Sequence, residues 1–147
     1  MKSNTFELRL IEHNSNEYWN LVSLRDKVLR KPLGLEFTNE ELLAENDQLH
    51  FGGYENDELV GCFAFVKKTD SILKMRQVAV DPIFQGRGVG SKMVVASEKW
   101  AIENGYSKIE LHARLAATKF YSKLGYQIIG SEFLEVGIPH YKMKKAL

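Results

Sequence analysis

Between Arg76 and Lys99 the chain runs without a break through a short apolar stretch, a stop, a loop with glycine at every second place and a helical pattern. Val78, Ala79 and Val80 read as the end of a buried strand, Asp81 and Pro82 stop it, and helical spacing begins near Gly88. Gly86, Gly88 and Gly90 fill the gap. Residues without side chains let a ligand approach the main chain, and amide N–H groups at a helix start, aided by the helix dipole, suit an anion. The first inference is a phosphate-bearing ligand. The same glycines also serve a plain tight turn from strand to helix, so the loop alone does not decide the matter. A P-loop is excluded, because the order here is Gly90-Ser91-Lys92 with too short a gap from Gly86. A dinucleotide fingerprint is excluded because the third glycine arrives one place early.

Gln85, Gly86, Arg87, Gly88, Val89 and Gly90 match the Gln/Arg-x-x-Gly-x-Gly/Ala pattern of a pyrophosphate-binding loop, and in this the chain resembles the GNAT acetyltransferase superfamily. The preceding Val78-Ala79-Val80-Asp81-Pro82 is similar to that family's strand before the motif. Phe120, Tyr121, Leu124, Gly125 and Tyr126 are similar to its later helix and turn, in the expected order.

The chain has 147 residues, about one domain, and the expectation is a single N-acetyltransferase domain over 1–147. With 44% hydrophobic and 27% charged residues it has the make-up of a soluble globular protein. A net charge of +1 gives no electrostatic reason to expect nucleic acid or a membrane surface as partner. One cysteine, Cys62, cannot form an internal disulfide, and no signal peptide or long apolar span is legible, so the expected compartment is the cytoplasm. Cys62 reads as packing, since nothing near it in sequence would lower a thiol pKa.

Taken in order, Phe6, Leu8 and Leu10 alternate with charges as a first strand. Tyr18, Leu21, Val22, Arg25, Val28 and Leu29 fall at helical spacing from about Asn16 to Arg30, ended by Pro32 and Gly34. Thr38 and Glu41 form a capping box for a short second helix to about Glu45. Strands over roughly Leu49–Glu55 and Glu58–Lys67 are joined by Asn56-Asp57, a tight hairpin. In the second, Val60, Cys62, Ala64 and Val66 share one face and Leu59, Phe63 and Phe65 the other, which predicts a central strand. The strand from Ile72 leads into the glycine loop. Val89, Met93, Ala96 and Trp100 then form the core stripe of a long helix closed by Gly105. A strand over Lys108–His112, a helix bearing Tyr121, and strands over Tyr126–Val136 and about Pro139–Lys144 complete the chain. The fold class is α+β, and the resemblance implies a mixed, mostly antiparallel sheet of about six or seven strands with about four helices and strands splayed at a coenzyme slot.

The resemblance implies acetyl-CoA as cosubstrate, with pantetheine against Val78, Ala79 and Val80 and the pyrophosphate wrapped by Gln85 to Ser91. Arg87 and Lys92 are candidates to add charge. It also implies Tyr121 as the donor of a proton to the coenzyme sulfur, since a phenol is protonated at neutral pH. The base is left among Glu110, His112, Glu135 and His140, with Glu110 and His112 on one strand face so that both approach the slot or neither does. Arg114 stands where many members have an asparagine that contacts the coenzyme. Arg30, Lys31, Leu33, Gly34, Leu35 and Glu36 are implied neighbours of the acceptor. The expected reaction is direct acetyl transfer to a small-molecule amine, with no metal. A protein or peptide amine as acceptor, or a non-catalytic acyl-CoA sensor, are the alternatives. A homodimer is left open.

Overall fold

The computed structural model describes residues 5–147. Its strands are β1 (Phe6–Ile11), β2 (Leu49–Glu55), β3 (Glu58–Lys67), β4 (Ile72–Val80), β5 (Lys108–Arg114), β6 (Gln127–Glu135) and β7 (Ile138–Ala146). The helices are α1 (Asn16–Arg25), α2 (Asn39–Leu43), α3 (Val89–Glu103) and α4 (Thr118–Lys123). The strands form one mixed sheet in the order β1-β2-β3-β4-β5-β7-β6. Every neighbouring pair is antiparallel except β4 with β5, which is parallel and reached through α3, as a parallel connection requires.

Two cores follow from the alternation of the strands. On one face Phe51, Phe63, Phe65, Leu73, Met75, Ile109, Leu111 and Met143 pack with Met93, Val94 and Ala101 of α3 and with Tyr121 of α4. On the other, Cys62 and Ala79 pack with Tyr18, Leu21 and Leu24 of α1. Leu59 joins this second core rather than lying with Phe63, because the β2–β3 register slips between Gly53 and Tyr54 and moves it to the other side. The Asn56-Asp57 turn has φ of 51° and 65°, the left-handed pair of a type I′ hairpin.

The first helix is less regular than its spacing predicts. α1 stops at Arg25, and Asp26–Arg30 forms a π-helical turn that runs into a 3-10 turn at Lys31–Leu33, where Pro32 offers no amide. The wider turn carries Val28, Leu29 and Arg30 to the mouth of the central cleft. Arg25 is drawn inward instead, 2% exposed, with its two terminal nitrogens 2.7 and 2.6 Å from the two carboxylate oxygens of Glu45. The Tyr18 hydroxyl donates to the same carboxylate at 2.9 Å. Phe37 lies under both Arg25 and Arg30, at 4.6 and 4.2 Å from ring centre to guanidinium carbon. The α2 capping box is present in both directions, at 3.1 Å to the Glu41 amide and 3.3 Å back to the Thr38 amide.

β4 is where the sheet opens. Against β3 its register slips between Cys62 and Ala64, and Gln77 takes φ of 57°, the signature of a bulge. Against β5 it pairs only from Ile72 to Met75. Beyond Met75 and Leu111 the two parallel strands part, so the edge of Arg76–Val80 that would face β5 has no strand partner. No helix among the described residues is long and apolar enough to cross a membrane.

Candidate active site

The cleft between the parted strands has a volume of about 580 Å³ and passes through the sheet. On the side of α4 it is lined by Val78, Ala117 and Tyr121, and on the side of α1 by Arg76, His112, Glu135 and His140.

The glycine loop stands at the end of β4. Asp81 caps a 3-10 turn over Pro82–Phe84 by accepting from the Ile83 amide at 3.1 Å, and the Gln85 side chain donates to the Val80 carbonyl at 3.3 Å. Gly86 and Gly88 take φ of 81° and 76°, a left-handed backbone that costs other residues about 1–2 kcal/mol. The ladder of α3 begins with the Lys92 amide donating to the Gly88 carbonyl at 3.0 Å, so the amides of Val89, Gly90 and Ser91 have no carbonyl one turn earlier. Gly90 has another role: a Cβ there would stand 3.2 Å from the Phe120 ring, so its bareness seats α4 against α3. The charges expected to help are turned elsewhere. Lys92 reaches toward Glu55 at 3.7 Å, and Arg87 lies 5.6 Å over the Phe84 ring.

A side chain at position 88 meets open space, so a substitution there acts through the backbone rather than by collision. Gly88→Val forces a β-branched residue into the left-handed region and swings the amides that follow. The expected result, read by calorimetry, is an acetyl-CoA dissociation constant raised at least tenfold with an unfolding midpoint within a few degrees of the parent. Unchanged affinity would remove the loop from coenzyme binding.

Tyr121 is 7% exposed, held edge-on by Phe120 and Tyr126 at 5.0 and 5.7 Å. Its neighbour Tyr126 donates to Glu98 at 3.0 Å, whereas the Tyr121 hydroxyl has no hydrogen-bond partner among the described residues. Burial pushes its pKa up to about 12. The phenol is thus a protonated donor at the cleft with its bond still to make.

Across the sheet, Glu135 bridges two histidines. One carboxylate oxygen lies 2.9 Å from His112 Nδ1 and the other 3.5 Å from His140 Nε2. His140, 4% exposed, also has Nδ1 2.8 Å from the Ile138 carbonyl, which can only accept, so Nδ1 carries a proton and Nε2 is the atom that faces Glu135. His112 is arranged in reverse, donating from Nδ1 to Glu135 and leaving Nε2 unpartnered among the described residues. Phe133 flanks both rings, at 4.9 and 5.9 Å. Burial raises the Glu135 carboxyl, but the hydrogen bond and charge of His112 and the charge of His140 outweigh it, so it stays below its ordinary pKa. The trio is built by pairing β7 with both β5 and β6, which sets His140 beside Arg114 and opposite Phe133.

The remaining candidates are not all at the cleft. Glu110 shares the face of His112 but does not line the cleft, because it lies opposite Lys74 where β4 and β5 are still paired, and Lys68 holds it at 2.6 Å. Arg114 donates to the Leu29 carbonyl at 3.1 Å and so ties β5 to the π-helical turn. Of the loop after α1, Arg30 lines the cleft, while Lys31, Leu33, Gly34, Leu35 and Glu36 do not. Lys74 and Arg76, absent from the candidates above, line the cleft from the bulged strand. Their signal was the placing of two cations on one face of a central strand whose opposite face is Leu73 and Met75.

A family model described as an acetyltransferase (GNAT) domain matches residues 26–147. The chain belongs to the GNAT acetyltransferase family. Within that family it is 31% identical over 137 residues to YjcF of Bacillus subtilis, an uncharacterised N-acetyltransferase, covering 92% of this chain and 97% of that one. The GNAT fold itself is shared with solved structures of low identity. An acyl-CoA N-acyltransferase from Pseudomonas aeruginosa superposes with a TM-score of 0.81 at 17% identity, over 97% of this chain and 100% of the other. A GNAT acetyltransferase from Elizabethkingia anophelis, solved with acetyl-CoA bound, gives 0.74 at 17% identity, over 99% and 100%.

Proposed function

We propose that this GNAT member transfers the acetyl group of acetyl-CoA directly to the nitrogen of a small-molecule amine. The observation that carries the reading is the cleft through the sheet, with an unpartnered phenol on one side and a histidine–carboxylate–histidine group on the other. A thioester in the cleft would have its sulfur toward Tyr121 and its carbonyl carbon open to an amine arriving from the α1 side. The diphosphate would lie on the amides of the loop from Gln85 to Ser91, and pantetheine along the free edge of Val78, Ala79 and Val80.

The amine must be neutral to attack, so one proton leaves it for the His112, Glu135 and His140 group, whose open acceptor is His112 Nε2, since His140 Nε2 already faces Glu135 at 3.5 Å. A nitrogen–carbon bond forms as the carbon–sulfur bond breaks, the acylated nitrogen releases its second proton to solvent, and the Tyr121 hydroxyl gives its proton to the departing thiolate. The phenolate is then reprotonated from solvent. A covalent acetyl-enzyme has little support: the lone cysteine, Cys62, is buried, and burial pushes its thiol up to about 12.

Thiol release from acetyl-CoA, measured against a panel of small amines and of short peptides, tests the reading. Turnover with small amines and none without an acceptor is expected. Turnover with peptides alone would move the function to protein acetylation, and tight coenzyme binding with no turnover against any amine would leave a sensor.

A further inference from the structure

The acceptor side of the cleft carries a charge imbalance that the neutral pantetheine and a neutral amine do not use. Its lining includes the cations Arg30, Lys74, Arg76 and Arg114 but one carboxylate, Glu135, which is engaged by two histidines. Arg30 is answered by Glu41 at 3.3 Å and Arg114 by a backbone carbonyl. Lys74 and Arg76 have no hydrogen bond or ion pair among the described residues. Burial, and after it the charge of Arg76, lower the pKa of the Lys74 ammonium; the charge of Glu135 opposes them in part, and Lys68 and Lys142 add to the lowering. A half-buried cation among cations is costly unless an anion joins it.

A second hollow of about 320 Å³ adjoins the cleft and shares Lys74 and His112 with it. Its cations are Lys67, Lys68, Lys74 and Lys142, against the single carboxylate of Glu110, which Lys68 and Lys142 already share at 2.6 and 3.4 Å. The imbalance cannot serve the coenzyme diphosphate, because the glycine loop begins beyond Asp81, five residues along the strand from Arg76 and on the order of 15 Å away.

We infer that the acceptor is an amine that also carries a carboxylate, bound by Lys74 and Arg76 with its amino group toward His112, Glu135 and His140. Two results of this charge arrangement bear on the chemistry. Nearby cations disfavour the protonated form of the bound amine and so help produce the nucleophile. They also repel acceptors with several ammonium groups, which sets polyamines apart from amino acids. The substrate class rests on the acetyl-transfer reading, and the test separates the two.

N-acetylglycine, N-acetyl-β-alanine and N-acetyl-6-aminohexanoate, each with its carboxamide, would be titrated calorimetrically into the coenzyme A complex, a measurement that needs no turnover. For at least one spacer length the acid is expected to bind tenfold or more tightly than its carboxamide. The double variant Lys74→Gln/Arg76→Gln should remove that preference while holding carboxamide affinity within about twofold, and Arg76→Lys should restore part of it in the Lys74 background. Equal affinity for acid and carboxamide at every spacer, or a preference unmoved by the double variant, would overturn the inference. Tighter binding of a phosphonate of equal length would overturn the choice of carboxylate. The matching free amines are then assayed for thiol release. Acid-selective binding without turnover of any amine would sink the acetyl-transfer reading and leave the anion subsite standing, whereas turnover that favours polyamines would do the reverse.

Discussion

Tyr121→Phe is expected to lower kcat by about 10²–10⁴-fold, the range that a positioned general acid supplies. The hydroxyl makes no hydrogen bond among the described residues, so its removal breaks nothing in the fold, and the ring keeps its contacts with Phe120 and Tyr126. Stability and the acetyl-CoA dissociation constant should therefore remain close to those of the parent, which confines the loss to kcat. Because burial raises the phenol to about 12, Tyr121 stays protonated across the ordinary assay range and adds no alkaline limb to the rate profile there. Steady-state kinetics with the best amine of the panel decide the point. A kcat within threefold of the parent would take Tyr121 out of the chemistry.

The second large effect concerns stability. Arg25→Leu leaves the Glu45 carboxylate buried without its bidentate partner, and breaking such a pair costs about 3–5 kcal/mol. Urea unfolding should show this as a lower midpoint at unchanged slope. Replacing both partners, in Arg25→Leu/Glu45→Leu, should recover part of the loss, since two apolar groups need no partner while the buried Tyr18 hydroxyl keeps only its 3.5 Å contact with the Leu42 carbonyl. The pair also has a pH signature. Burial raises the Glu45 carboxyl, but the hydrogen bonds and charge of Arg25 more than offset this, and its folded pKa lies below the unfolded value of about 4.3. Its contribution is therefore fully present above that unfolded value and is lost as pH falls through the folded one. The parent should lose stability more steeply below about pH 4 than the double variant does. Parallel curves would contradict the assignment.

Much of this architecture was legible in the chain because its signals are local. The Thr38–Glu41 box, the Asn56-Asp57 turn and the glycine spacing each specify a backbone within a few residues, and each appears where the spacing predicts. The parting of β4 from β5 was implied only by family resemblance, since it depends on a bulge at Gln77 that no composition rule marks. What escaped the sequence depends on register between distant strands. Glu110 and His112 alternate identically along β5, yet one is locked by Lys68 and the other opens to the cleft, because the sheet divides between them. Glu135, His112 and His140 come from three strands, and nothing in their spacing says that one carboxylate would bridge both rings. The inward turn of Arg25 hid for a similar reason. At helical spacing it reads as an interruption of an apolar stripe, and its partner lies twenty residues on.

Every proposed step requires coenzyme to enter the gap between β4 and β5, and a calorimetric titration of the purified protein with acetyl-CoA addresses that directly. Saturable heat with one molecule bound per chain, retained with free coenzyme A and reduced at least tenfold in affinity by Gly88→Val, is the predicted result. No heat of binding with either compound at millimolar concentration would contradict it.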